Sequence, residues 1–246
     1  MNIEGSRVLI TGASRGLGRT LAFACAEAGA REVVAGARKP EHMEALERDA
    51  AERGANILPI KLDVTSDHDV EAASKLGTFD VLVNNAGVAG YGNPLQMSLA
   101  DAVAEMNVNY FGALRMSRAL APAMIERGSG VIANVATAFA RINLPLVGTY
   151  CASKAALFSL GQALRAYLGD KGVHVMTLMP TTIDTDMSRG ADVPKMTKEF
   201  VAAEILRHIR QETIDPPIGE EAERVLEGLR QDPTGLEKML SQMRVK

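Results

Sequence analysis

The stretch from Arg7 to Gly18 constrains this chain more than any other. Val8, Leu9 and Ile10 form a short apolar strand, which runs directly into Gly12-Ala13-Ser14-Arg15-Gly16-Leu17-Gly18 and then an Ala-rich amphipathic run ending near Gly29. A strand, a glycine turn and a helix in immediate succession make a glycine-rich motif informative. The glycines allow the tight turn and let a pyrophosphate come against the backbone. The helix start supplies unpaired N–H groups and the positive end of its dipole. An ordinary strand-to-helix turn needs one glycine rather than three, so Gly12, Ser14, Arg15, Gly16, Leu17 and Gly18 are read as a dinucleotide cradle.

Downstream, strand and helix patterns alternate. Strands are expected at Glu32–Ala37, Ile57–Leu62, Phe79–Val83, Gly130–Val135 and Val173–Met179. Helices are expected at Glu41–Arg53, about Leu99–Arg127 and Ala155–Leu168. This order predicts an α/β, Rossmann-like, doubly wound and mostly parallel sheet with helices on both faces, in one domain spanning residues 1–246. From Thr181 the pattern loosens. A helix at Thr197–Gln211 is expected as a mobile cover over the site, followed by short helices at Glu220–Arg230 and Pro233–Met243.

A chain of 246 residues with 47% hydrophobic and 23% charged residues suits a globular protein with a sizeable core. The net charge of -3 offers no global basic surface, so neither nucleic acid nor an anionic membrane is expected as a partner. The two cysteines, Cys25 and Cys151, form neither a disulfide framework nor a metal-spacing cluster, and no metal is expected. Cys151 reads as a small packing residue. With no apolar run of membrane-spanning length and no leader pattern, the expected location is cytoplasmic.

Chemistry concentrates at the C-terminal ends of the expected strands. After the second strand, Ala37 stands where a carboxylate would accept from a ribose 2′-hydroxyl, and Arg38 and Lys39 follow. Cations there, with Arg15, favour a 2′-phosphate, hence NADP(H) over NAD. Asp63 and Val64 end the third strand, where Asp63 can face the ligand edge or cap the next helix, for which Asp67 also serves. Asn84-Asn85-Ala86-Gly87 ends the fourth. Asn107 and Asn109 lie inside a long helix, where asparagine is a poor helix former, and at least one is expected to have a function. Tyr150 and Lys154 fall one helical turn apart on one face. One cation at about 6 Å, at an effective dielectric of about 20, stabilises a phenolate by roughly 2.8 kcal/mol, or about 2 pKa units. That makes Tyr150 a candidate proton donor to a substrate oxygen.

Together, Thr11-Gly12-x-x-x-Gly16-x-Gly18, Asp63-Val64, Asn84-Asn85-Ala86-Gly87, Asn109 and Tyr150-x-x-x-Lys154 resemble the short-chain dehydrogenase/reductase family in its compact NADP-dependent form, over Arg7 to about Met187. The resemblance implies Tyr150 as proton donor and acceptor. Lys154 would lower its pKa and hold the nicotinamide ribose, Asn109 would anchor a water in a proton relay, and Thr137 would stand where the family has a catalytic serine. It further implies cofactor contacts at Asn85, Ala86, Gly87, Pro180, Ile183 and Thr185. Three features depart from the family: Thr137, a Thr181 where Pro-Gly is usual, and the missing Asp-Gly-Gly after the last strand.

The implied reaction is reversible NADPH-dependent reduction of a ketone or aldehyde to an alcohol. A non-catalytic dinucleotide-binding sensor or partner-binding protein on the same fold is the alternative. The apolar loop Phe139–Val147, with Val88 and Tyr91, suggests a neutral, apolar carbonyl substrate, while Arg141 either meets an acidic substrate or faces water. The family also implies a homodimer or homotetramer, for which Tyr110, Phe111, Leu114, Phe158 and Leu164 suit the face.

Overall fold

A computed structural model describes residues 1–242. Seven parallel strands form one sheet in the order β3-β2-β1-β4-β5-β6-β7, namely β1 (Arg7–Ile10), β2 (Glu32–Ala37), β3 (Ile57–Lys61), β4 (Val81–Asn84), β5 (Gly130–Val135), β6 (Val173–Pro180) and β7 (Pro217–Ile218). The helices are α1 (Gly16–Glu27), α2 (Pro40–Glu52), α3 (Asp67–Ser74), α4 (Leu99–Met106), α5 (Ala113–Arg127), α6 (Gly148–Leu168), α7 (Lys198–Gln211), α8 (Glu220–Gln231) and α9 (Pro233–Leu240). This is the doubly wound architecture read from the sequence.

Period-two alternation fixes which way each strand faces. Val8, Ile10, Val33, Ala35, Val81, Val83, Val131 and Ala133 point into one core with Leu17, Leu21 and Phe23 of α1. Leu9, Val34, Leu82 and Ile132 point into the other, against Val70 of α3 and Met116, Leu120 and Met124 of α5. The central strands are buried on both faces, which is why they read as continuous apolar runs.

Several boundaries move. Strand β4 begins at Val81 rather than Phe79; Phe79 is buried beside it with the Arg7 guanidinium 4.5 Å from its ring centroid. Strand β3 stops at Lys61, and β6 runs on through Pro180. The expected Leu99–Arg127 helix is interrupted by a π-helical turn at Asn107–Gly112. Helix α7 is not a cover over the site. Val201, Ile205 and Ile209 bury its apolar face in the same core as α1. Strand β7, too short to show any alternation, was not expected. Helix α9 is described to Leu240, and the expected end at Met243 lies outside the described residues. Among the described residues no helix is long and apolar enough to cross a membrane.

Candidate active site

The C-terminal ends of the strands open into a cavity of about 610 Å³. At one end lies the glycine turn. Gly12 and Gly16 have positive φ, +65° and +55°, which glycine adopts without the penalty of a Cβ. A Cβ on Gly12 would come within 2.8 Å of the Ala86 Cα, and one on Gly18 would run into the Gly12 carbonyl and the Asn85 amide. Arg15 precedes α1 in extended conformation and makes no capping hydrogen bond with its side chain. The first N–H groups of the helix are therefore not capped by that side chain. A cradle that any Cβ would fill, at an uncapped helix start, fits a dinucleotide pyrophosphate.

Ser14, Leu17, Arg38, Asp63, Val64, Asn85, Ala86 and Gly87 line the same cavity. Asn85 knits the cradle together, its Nδ2 donating to the Thr11 carbonyl at 2.9 Å and its backbone N–H to Thr11 Oγ1 at 3.0 Å. Asp63 does not cap α3: Ser66 does, accepting from the Asp69 N–H, and Asp63 Oδ1 instead accepts from Thr65 Oγ1 at 2.7 Å. Arg15 pairs with Asp186 across the cavity mouth at 3.3 Å. Lys39 does not reach the cavity and lies 3.7 Å from Glu41.

At the other end the structure gathers Thr137, Tyr150, Lys154, Pro180, Thr181, Ile183 and Thr185 with Val88, Tyr91, Phe139, Leu144, Leu146 and Val147. Thr137 leaves β5 in extended conformation, its hydroxyl accepting from the Phe139 N–H at 3.3 Å. Helix α6 begins at Gly148, two residues before Tyr150, so Tyr150 and Lys154 stack along its first turns. The Lys154 ammonium donates to the Val135 carbonyl at 2.8 Å and sits 5.8 Å from the Tyr150 ring centroid. Thr185 opens a short turn in a reciprocal pair with Ser188, whose hydroxyl also donates to the Ile183 carbonyl at 2.6 Å.

Of the two helical asparagines, Asn109 has the structural role. Its Nδ2 donates to Ser153 Oγ at 2.8 Å and to the Val88 carbonyl at 2.9 Å, and its Oδ1 accepts from the Val88 N–H at 2.9 Å. Ser153 in turn donates to the Tyr150 carbonyl at 2.7 Å. The π-helical turn thus ties the loop after β4 to α6, the helix that carries Tyr150 and Lys154. Asn107 instead accepts from half-buried Arg115 at 3.0 Å. Sequence reasoning missed Ser153, whose only signal was its place between Tyr150 and Lys154. It also missed Glu105, buried in α4 with Oε1 accepting from the Gly90 N–H at 2.5 Å. A glutamate within an amphipathic helix gives no sign of pointing inward.

The electrostatics correct one expectation. Lys154 stands about as far from Tyr150 as assumed, yet the phenol is pushed up rather than down. Burial is the largest cause, and Cys151, Tyr91 and Glu105 add to it. Burial likewise lowers Lys154 from 10.5 to about 8. The sequence estimate counted the attraction between the charges but not the cost of removing each from water, and here desolvation wins. Cys151 is buried, with its thiol pushed up to about 11, in keeping with a packing role.

Comparison with known proteins agrees with this geometry. The family model for short chain dehydrogenases matches residues 6–194, and the chain belongs to that family. Short chain dehydrogenase pigC of Monascus ruber is 36% identical over 204 residues, 78% of this chain and 67% of that protein. D-erythrulose reductase of Gallus gallus is 36% identical over 191 residues, 77% of this chain and 76% of that protein. A short chain dehydrogenase from Burkholderia cenocepacia J2315, solved in complex with NADP, shares 36% identity at a TM-score of 0.90, covering 98% of this chain and 99% of that one.

Proposed function

We propose that this oxidoreductase is an NADPH-dependent carbonyl reductase acting on a neutral ketone or aldehyde. The observation that carries the reading is the glycine cradle sharing one cavity with Tyr150, Thr137 and Lys154. Arg15 and Arg38 at the cradle end, with Ala37 rather than a carboxylate ending β2, suit a 2′-phosphate. The Arg15–Asp186 pair is exposed and so weak enough to exchange partners. The NADP complex of the Burkholderia relative and the D-erythrulose reductase among the relatives support the same reading.

When bound, NADPH supplies the hydride to the carbonyl carbon. Tyr150 gives its proton to the carbonyl oxygen, and the Thr137 hydroxyl donates a hydrogen bond to that oxygen as charge develops. Burial raises the Tyr150 pKa, so the phenol is protonated when the reaction begins. Lys154 stabilises the phenolate left behind and would hold the nicotinamide ribose of a bound cofactor. Asn109 positions this set through Ser153 and Val88. The apolar walls Phe139, Leu144, Leu146 and Val147 exclude water around the reacting carbon.

The two buried free cysteines suit a reducing, cytoplasmic setting. Of the residues expected on an oligomer face, Phe158 is buried and Tyr110, Leu114 and Leu164 pack against its cluster, which leaves Phe111 exposed; with exposed Leu99 and Val103 it is the apolar surface that would serve a homodimer or homotetramer. The test is titration with NADPH and NADH, repeated with Arg38→Asp. A charge-assisted contact worth roughly 1.5–3 kcal/mol predicts about tenfold or greater preference for NADPH, lost in the variant. Equal affinity of the wild type for both cofactors would overturn the cofactor assignment.

A further inference from the structure

We infer that Glu221 selects the substrate: it admits neutral carbonyl compounds that carry a hydroxyl group remote from the carbonyl, and turns away carboxylates. This rests on the reductase reading above and adds a substrate class to it. Three acidic residues occupy the first turn of α8. Glu220 pairs with Arg224 at 3.4 Å and Glu223 is exposed, whereas Glu221 is half-buried and lines the cavity. It has no hydrogen-bond or ion-pair partner among the described residues.

The sheet places Glu221 at the substrate end. Strand β7 pairs with β6 so that Ile218 lies beside Pro180, and the chain enters α8 next to the segment Pro180–Thr182. Ala222 and Val225 then anchor α8 against Ala138, in a cluster that also takes Phe139 and Leu144. The helix therefore both supports the apolar loop and delivers one carboxylate to its cavity.

The other charges in the cavity do not neutralise it. Asp63, Asp186 and Asp192 carry the same sign as Glu221, and the cation Arg15 is paired with Asp186. Arg38 follows β2, five strand positions from β7. At about 4.8 Å per strand that is roughly 24 Å, well beyond a screening length of about 8 Å. Lys154 lies nearer, but its ammonium is buried against the Val135 carbonyl. Arg141, the cation that a carboxylate substrate would need, is turned away: its guanidinium stacks 4.6 Å from the Phe158 ring centroid, and it does not line the cavity. An apolar wall that carries a half-buried, unpartnered carboxylate favours a substrate that can donate to it and repels an anion.

Three para-substituted benzaldehydes of matched shape test this, bearing hydroxymethyl, methyl or carboxylate. NADPH oxidation is followed for the full-length wild type, Glu221→Gln and Glu221→Leu, with NADPH affinity as the folding control in each. Wild type is expected to favour the hydroxymethyl over the methyl compound by about tenfold in kcat/KM, through KM, with the carboxylate poorest. Glu221→Gln raises kcat/KM for the carboxylate about tenfold while keeping the hydroxymethyl preference, and Glu221→Leu abolishes that preference. Reduction of all three with the same ranking in wild type and Glu221→Leu would overturn this inference alone. Wild type that binds NADPH but reduces none of the three would overturn the reductase reading and this inference with it.

Discussion

The two ends of the cavity are built on different principles. At the cofactor end the backbone itself is the surface: Gly12 and Gly18 leave no room for a Cβ beside Ala86 and the turn's own carbonyl, and Gly16 holds a positive φ against Thr185. At the substrate end the surface is made of side chains on the loop before α6, on the segment after β6 and on α8. Backbone sterics admit almost one solution, whereas apolar side chains of similar volume exchange freely. The cofactor end is thus fixed by its few glycines, and the substrate end is where this chain expresses its own choices, Thr137, Thr181 and Glu221 among them.

The comparison breaks first through its scaffold. Asp215 holds the substrate end to the sheet, its carboxylate taking Arg165 in two bonds of 2.7 and 3.0 Å and the Thr177 N–H at 3.1 Å. Asp215→Ala leaves a partly buried guanidinium without its counter-ion, held only by the Val175 carbonyl, and is expected to lower stability by about 3–5 kcal/mol in chemical denaturation. Since Asp215 touches nothing at the glycine turn, the surviving folded protein should bind NADPH normally. Weakened NADPH binding would mean that the two ends are not separable.

Gly18→Ala is the converse. A methyl driven into the Gly12 carbonyl is expected to weaken NADPH binding about a hundredfold by fluorescence titration, equivalent to about 3 kcal/mol of misfit. Unchanged affinity would show that the turn has slack the structure does not reveal.

Lys154→Met gives a smaller effect of opposite sign on stability. Lowering from 10.5 to about 8 means that burial disfavours the charged form, and about 1.4 kcal/mol per unit sets the cost near about 3 kcal/mol. Loss of the bond to Val135 returns about 1 kcal/mol, so a net gain of about 2 kcal/mol at neutral pH is expected, together with loss of activity. The folded-state value lies below the unfolded one, so the unfolded chain holds more protons between pH 8 and 10.5. Wild-type stability should therefore rise relative to the variant across that window and stay level below it. A destabilised variant at pH 7 would contradict the burial account.

What the sequence made legible follows the same division. Strand faces, the glycine turn and the Tyr150–Lys154 spacing depend on neighbours in the chain, and the structure has them as read. What long-range packing decides was not legible. The Leu99–Arg127 periodicity continues through Asn109, and only the partners Val88 and Ser153 reveal the π-helical turn. The amphipathic stripe of α7 says that it packs, not that it packs on α1 beneath the sheet instead of over the site. Arg141 and Glu221 are both charged residues beside apolar runs, and only tertiary structure turns the first onto Phe158 and the second toward the cavity. The Tyr150 estimate failed for the same reason, because desolvation depends on how many walls close around a group.

The most direct test of the account is the rate of NADPH oxidation with para-methylbenzaldehyde for wild type and Tyr150→Phe, with NADPH affinity measured alongside. Retained affinity with turnover reduced about a thousandfold is the expected result, the size of effect that a positioned proton donor supplies. A variant that binds NADPH and keeps its rate to within about tenfold would contradict the assignment of Tyr150 as the proton donor.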